Sequence, residues 1–109
     1  MHITFDYARS QLDPGALPGL DGFAALLRAC TDSRVLVEGH TDTDGRAANN
    51  HSLSLRRAQA VQKHLVESGV ASERVQAVGF GQTRPAFPNV SPKNKRSNRR
   101  VVLVVTAPR

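Results

Sequence analysis

A short β-branched apolar run, Val35-Leu36-Val37, breaks off at Gly39 into polar residues and is followed by an apolar stripe at helical spacing, Leu55, Ala58, Val61 and Leu65. A strand that turns through a polar loop into an amphipathic helix is the start of a strand–helix–strand unit, because the helix can hide its stripe only by lying back on the sheet. The rest of the pattern agrees. Ile3, Phe5 and Tyr7 alternate with polar residues and read as a first, half-buried strand. Asp13-Pro14 is a helix start, with the carboxylate as N-cap and proline at the first helical position. Leu17, Leu20, Phe23, Ala24 and Leu27 form one helix face, although Pro18 and nearby glycines allow the start to slip to about Leu17. The central strand is expected over roughly 34–40, a loop over 41–51 and a second helix from about Ser52 to Ser68. Gly69 and Val70 suit a Schellman stop, with Val70 against Leu65. Val75 to Phe80 reads as a third strand, residues 81–97 as a long loop rich in proline, glycine, asparagine and lysine, and Val101 to Val105 as a buried fourth strand. The order β-α-β-α-β-loop-β predicts an α/β sandwich, a mixed four-stranded sheet with two main helices on one face.

The 109 residues make one domain. No run approaches the roughly 18 apolar residues that span a bilayer. Met1 stands directly before the first strand, so the chain reads as a domain whose targeting region and membrane anchor belong to a larger parent protein. The net charge of +6 favours an anionic partner, or simply a solubilising surface. The lone Cys30 excludes an internal disulfide and, at the end of an apolar helical pattern, is expected to be a small buried hydrophobe.

Asp42 falls just past the central strand, where ligands commonly sit in α/β folds, and Arg57 falls in the first turns of the following helix. Opposite charges on the two rigid ends of one strand–loop–helix unit suit a zwitterion with a free ammonium and a free carboxylate. Arg57 lies along the edge of the packed face, so its guanidinium is expected to need an anion. That anion is either Asp42 itself, in an internal ion pair, or a ligand held in a cleft that both residues share. Asn50 is expected to cap the helix, and can offer an amide to a ligand at the same time. Asp44-Gly45 is a turn pair and Arg56 a surface charge. Arg99 and Arg100 must point to opposite faces of the last strand, one of them toward the cleft.

Other chemistries are weakly supported. His40-x-Asp42-x-Asp44 can be drawn as metal ligands, but the later ligands of a calcium loop are missing. No nucleophile–base pair, Walker loop or Cys-x-x-Cys occurs, so no enzyme and no cofactor are expected. Lys93, Lys95, Arg96, Arg99 and Arg100 could contact phosphates, yet Phe87 is the only nearby aromatic, and a nucleic-acid partner is not expected.

Together, Val-Glu-Gly-His-Thr-Asp at 37–42, Gly45, Asn50-x-x-Leu53-Ser54-x-x-Arg57-Ala58, Gly79-x-Gly81 with Pro85, and Asn98-Arg99-Arg100-Val101 resemble the OmpA-like C-terminal domain. Thr4-Phe5-Asp6 and Leu12-Asp13-Pro14 fit as well, so the resemblance covers roughly residues 3–106. It implies a periplasmic, non-covalent binder of peptidoglycan that anchors an envelope protein to the cell wall through the diaminopimelate of the peptide stem. By the motif match, Asp42 would hold the diaminopimelate ammonium and Arg57 its carboxylate. Asn50 and backbone amides of the 41–50 loop would support the peptide, and Asp6, Thr41, Leu53 and Arg99 match further positions that line the family's cleft. A homodimer stays open, although the sequence shows no exposed apolar seam. The competing expectation is a docking module for another envelope or secretion protein, with a vestigial cleft.

Overall fold

A computed structural model describes residues 1–6 and 8–106. Four strands form one sheet in the order β1-β4-β2-β3. They are β1 (His2–Thr4), β2 (Arg34–Gly39), β3 (Val75–Gly79) and β4 (Arg100–Thr106), joined by helices α1 (Leu17–Ala29), α2 (Ala47–Glu67) and α3 (Pro92–Asn98). The β2–β3 pair, bridged by α2, is parallel; β4 is antiparallel to both β1 and β2. The predicted mixed sheet is therefore present, with α1 and α2 supplying the other half of the core.

Alternation decides which side of each strand is buried. Ile3, Val35, Val37, Val75, Val101 and Leu103 point inward and meet Leu20, Ala24 and Leu27 of α1 and Ala58, Val61 and Leu65 of α2. α2 ends as its sequence dictates. Gly69 has φ +100°, its N–H donates to the Val66 carbonyl, and the Val70 N–H donates to the Leu65 carbonyl at 3.1 Å. This is a Schellman stop with Val70 buried beneath it.

Several expectations need correction. The first strand stops at Thr4, although the Phe5 N–H still donates to the Arg99 carbonyl at 2.8 Å; Tyr7 lies outside the described residues. Asp13 does cap a start, accepting from the Gly15 N–H at 2.9 Å, but what it opens is a 3-10 turn over Pro14–Ala16, and α1 proper begins at Leu17. α2 begins at Ala47, so the 41–51 loop is shorter than expected. The polar residues Asn49, Asn50 and His51 mask a helical turn because it buries polar contacts rather than apolar ones. The 81–97 segment contains α3, capped by Ser91 Oγ on the Asn94 N–H with Pro92 at its start. Cys30 is exposed, because α1 ends at Ala29 and the chain turns off the core there. β4 is buried only in its first half: β1 pairs no further along it than Val102, and Val104 and Val105 emerge beyond that cover.

Candidate functional site

Two glycines and a serine set the position of the site. Gly39 and Gly79 are register partners at the ends of β2 and β3. A Cβ on Gly39 would lie 1.8 Å from the Ser54 carbonyl oxygen, and one on Gly79 would lie 2.7 Å from the Leu55 nitrogen. The sheet and α2 therefore touch backbone to backbone here. Ser54 Oγ donates to the His51 carbonyl at 2.7 Å and accepts from the Gly81 N–H at 2.8 Å, which ties the exit of β3 to the helix. Arg57, one turn further along α2, is thereby held under the chain leaving β2.

Arg57 is fully buried and donates to three backbone carbonyls: Nε to Arg9 at 2.8 Å, Nη1 to His40 at 3.1 Å and Nη2 to Asp6 at 3.0 Å. A guanidinium carries five N–H donors, so two remain. Burial, reinforced by the Arg99 charge and opposed by Asp42, lowers the Arg57 pKa to about 10. At neutral pH it is a buried cation whose bonded partners are all neutral. Of the two anions expected for this arginine, Asp42 is thus not its partner, and carbonyl dipoles of Asp6, Arg9 and His40 hold it instead.

Asp42, 2% exposed, does not pair with Arg57. Its Oδ2 accepts from Arg99 Nη1 at 2.9 Å and its Oδ1 from the Asp44 N–H at 3.0 Å. Arg99 also donates through Nε to the Phe5 carbonyl at 3.0 Å, so it is the arginine that reaches the cleft. Arg100 turns the other way, toward the Asn98 and Arg84 carbonyls. Asn50 is not the cap; Arg46 occupies that position, and no side chain bonds the helix start. From inside the first turn, Asn50 Nδ2 lies within hydrogen-bond distance of the Asp42 carbonyl at 3.3 Å, the Asp44 carbonyl at 3.0 Å and Gln82 Oε1 at 2.8 Å. It staples the 42–44 loop and the exit of β3 to α2.

These groups enclose a cleft of about 280 Å³ lined by Thr41, Asp42, Asn50, Leu53, Arg57 and Arg99 of the sequence-based set, together with Asp44, Arg46, Asn49 and Arg56. That is just below the lower end of ligand pockets, which span roughly 300–1,000 Å³, and it suits an amino-acid terminus. Asp6 is not part of this lining. It lines a neighbouring depression and serves the first cleft through its carbonyl on Arg57. Arg56, expected as a surface charge, is exposed but stands in the cleft wall. The Thr41 hydroxyl is buried without a hydrogen-bond partner.

The metal reading fails geometrically. The His40 ring stacks on Phe80 with centroids 5.5 Å apart, and among the described residues no three His, Cys, Asp or Glu side chains converge on a common point. Asp44 carries an ion pair with Lys95 at 2.9 Å. The suggested basic cluster is dispersed as well, with Lys95 on Asp44, Arg99 on Asp42 and Arg100 buried.

The OmpA family model matches residues 4–99. The chain belongs to the OmpA family. Outer membrane porin F of Pseudomonas fluorescens is 36% identical over 98% of the chain, and the peptidoglycan-binding protein ArfA of Mycobacterium tuberculosis is 38% identical over 94%. The chain spans only about a third of the length of these curated relatives, 33% and 32%. The peptidoglycan-associated lipoprotein of Burkholderia pseudomallei superposes with a TM-score of 0.94 at 27% identity, covering 96% of this chain and 89% of that one. The C-terminal domain of Helicobacter pylori MotB shares the OmpA-type fold, with a TM-score of 0.91 at 24% identity over 99% of this chain and 85% of that one.

Proposed function

We propose that this OmpA-family domain binds peptidoglycan non-covalently in the cell envelope, as the wall-anchoring part of a larger protein, and that the cleft grips the diaminopimelate of the stem peptide. The names of its relatives, peptidoglycan-binding and peptidoglycan-associated, support the general reading. The finer reading is carried by one observation: Arg57 is a buried cation in the cleft wall bonded only to carbonyls, close to a carboxylate that pairs elsewhere.

A diaminopimelate end supplies what each group lacks. Its carboxylate takes the two remaining Arg57 N–H groups in charge-assisted bonds. Its ammonium approaches Asp42, whose carboxylate Arg99 holds in place. Asn50 holds the loop backbone in place, and Leu53 forms the apolar wall beside Thr41. Asp6 contributes by fixing Arg57. No described helix is long and apolar enough to cross a membrane.

The reading predicts selection of diaminopimelate stems over lysine stems, since lysine lacks the second carboxylate. Leaving Arg57 without that partner costs on the order of 2–5 kcal/mol in a desolvated site. Calorimetric titration with the two stem peptides measures this directly. Equal affinities would overturn the diaminopimelate assignment. Failure of both peptides and of intact sacculi to bind would favour a docking module instead.

A further inference from the structure

We propose that the mouth of the cleft is a second anion subsite, in which Arg46, Arg56 and the uncapped start of α2 receive a further carboxylate of the stem next to the zwitterion. The proposal rests on the reading of the site given above. Four arginines and two aspartates line the cleft. Asp42 is taken by Arg99, and Asp44 by Lys95. Among the described residues, neither Arg46 nor Arg56 has a carboxylate partner. A bound zwitterion carries no net charge, so it satisfies Asp42 and Arg57 and leaves the excess of positive charge at the mouth untouched.

Two further features point at an anion in the same place. Arg46 occupies the N-cap of α2 in extended conformation, with no side-chain cap and no acidic residue in the first turn. The opening N–H groups of a 21-residue helix, at the positive end of its dipole, are therefore left without a side-chain cap, and Arg46, Asn49 and Asn50 of that start line the cleft. Independently, the Thr41 hydroxyl, 2% exposed and in the wall of the same cleft, has no hydrogen-bond partner. A carboxylate at the mouth would give all three an acceptor.

In a wall stem the residue before the diamino acid is a glutamate linked through its γ-carboxyl, which leaves its α-carboxylate either free or amidated. The subsite therefore reads amidation, since the amide has lost the charge that Arg46, Arg56 and the helix start select.

The test is calorimetric titration of the wild-type domain and of the Arg46→Gln/Arg56→Gln double variant with two synthetic L-Ala-γ-D-Glu-diaminopimelate peptides, one with the glutamate α-carboxylate free and one with it amidated. Wild type should bind the free acid roughly fivefold or more tightly than the amide, a gain in keeping with one charge-assisted contact at a partly exposed site. The double variant should bind both peptides equally, at about the wild-type affinity for the amide. Equal binding of the two by wild type, or a preference that survives in the double variant, overturns the subsite and leaves the Asp42/Arg57 clasp standing. If neither peptide binds wild type, the clasp falls and the subsite falls with it.

Discussion

Arg57 and Asp42 line one cleft with separate partners, which their spacing alone does not reveal. Both residue types and their placement at the ends of the strand–loop–helix unit are legible in the sequence. Their partners are not, because those lie far away along the chain: Arg99 for Asp42, and the carbonyls of Asp6 and Arg9 for Arg57. Asn50 was singled out from the sequence as a candidate, yet its contacts to the 42–44 loop and Gln82 need the folded chain. Replacing Asp42 by Ala should abolish sacculus pull-down while the circular dichroism spectrum stays native. Arg57→Ala should also abolish pull-down and in addition lower stability, by about 3–5 kcal/mol if three backbone carbonyls are left buried without donors. Pull-down retained by both variants would remove the cleft from the function.

At the level of elements, α2 is the part that turns fold into site. Its buried stripe and its Gly69 stop follow from spacing and from glycine's freedom at positive φ, and both were readable. Its true start at Ala47 was hidden, because the added turn packs polar groups, which carry no apolar period. The approach of α2 to the sheet depends on Gly39 and Gly79, where side chains would collide with helix backbone. Gly39→Ala should therefore cost more than about 2 kcal/mol in urea unfolding, since the obstacle is backbone that cannot rotate away. It should also weaken stem binding by displacing Arg57. A neutral effect on stability would mean that the contact relaxes freely. α3 escaped the sequence reading for another reason. It is a short, polar helix held by Asn98, whose side chain bonds the Ala86 and Phe87 N–H groups and the Phe87 carbonyl, contacts with no local signature.

For the whole molecule, pH reports how the sheet end is assembled. His40 is buried against Phe80, with Glu38, Arg100 and Arg84 around it. Burial first, then the Arg100 charge, lower its pKa from 6.5 to about 4 against the opposing pull of Glu38. Between those values the unfolded chain binds a proton that the folded one refuses. The stability is thus complete above about pH 6.5 and is lost as pH falls toward 4, by up to about 3 kcal/mol. Urea unfolding at neutral pH and near the lower limit should show a loss that His40→Gln reduces; an equal loss in that variant would assign it to carboxylates alone. The order of elements along the chain, the sheet class, the inward faces and the candidate charged pair were all set by local pattern, because alternation, helical period and turn chemistry act over a few residues. What tertiary structure alone decided was which charges meet. Opposite termini of the chain close on one cleft there, and the partner of a buried charge is fixed by which backbone and side chains the packed core brings within hydrogen-bond reach.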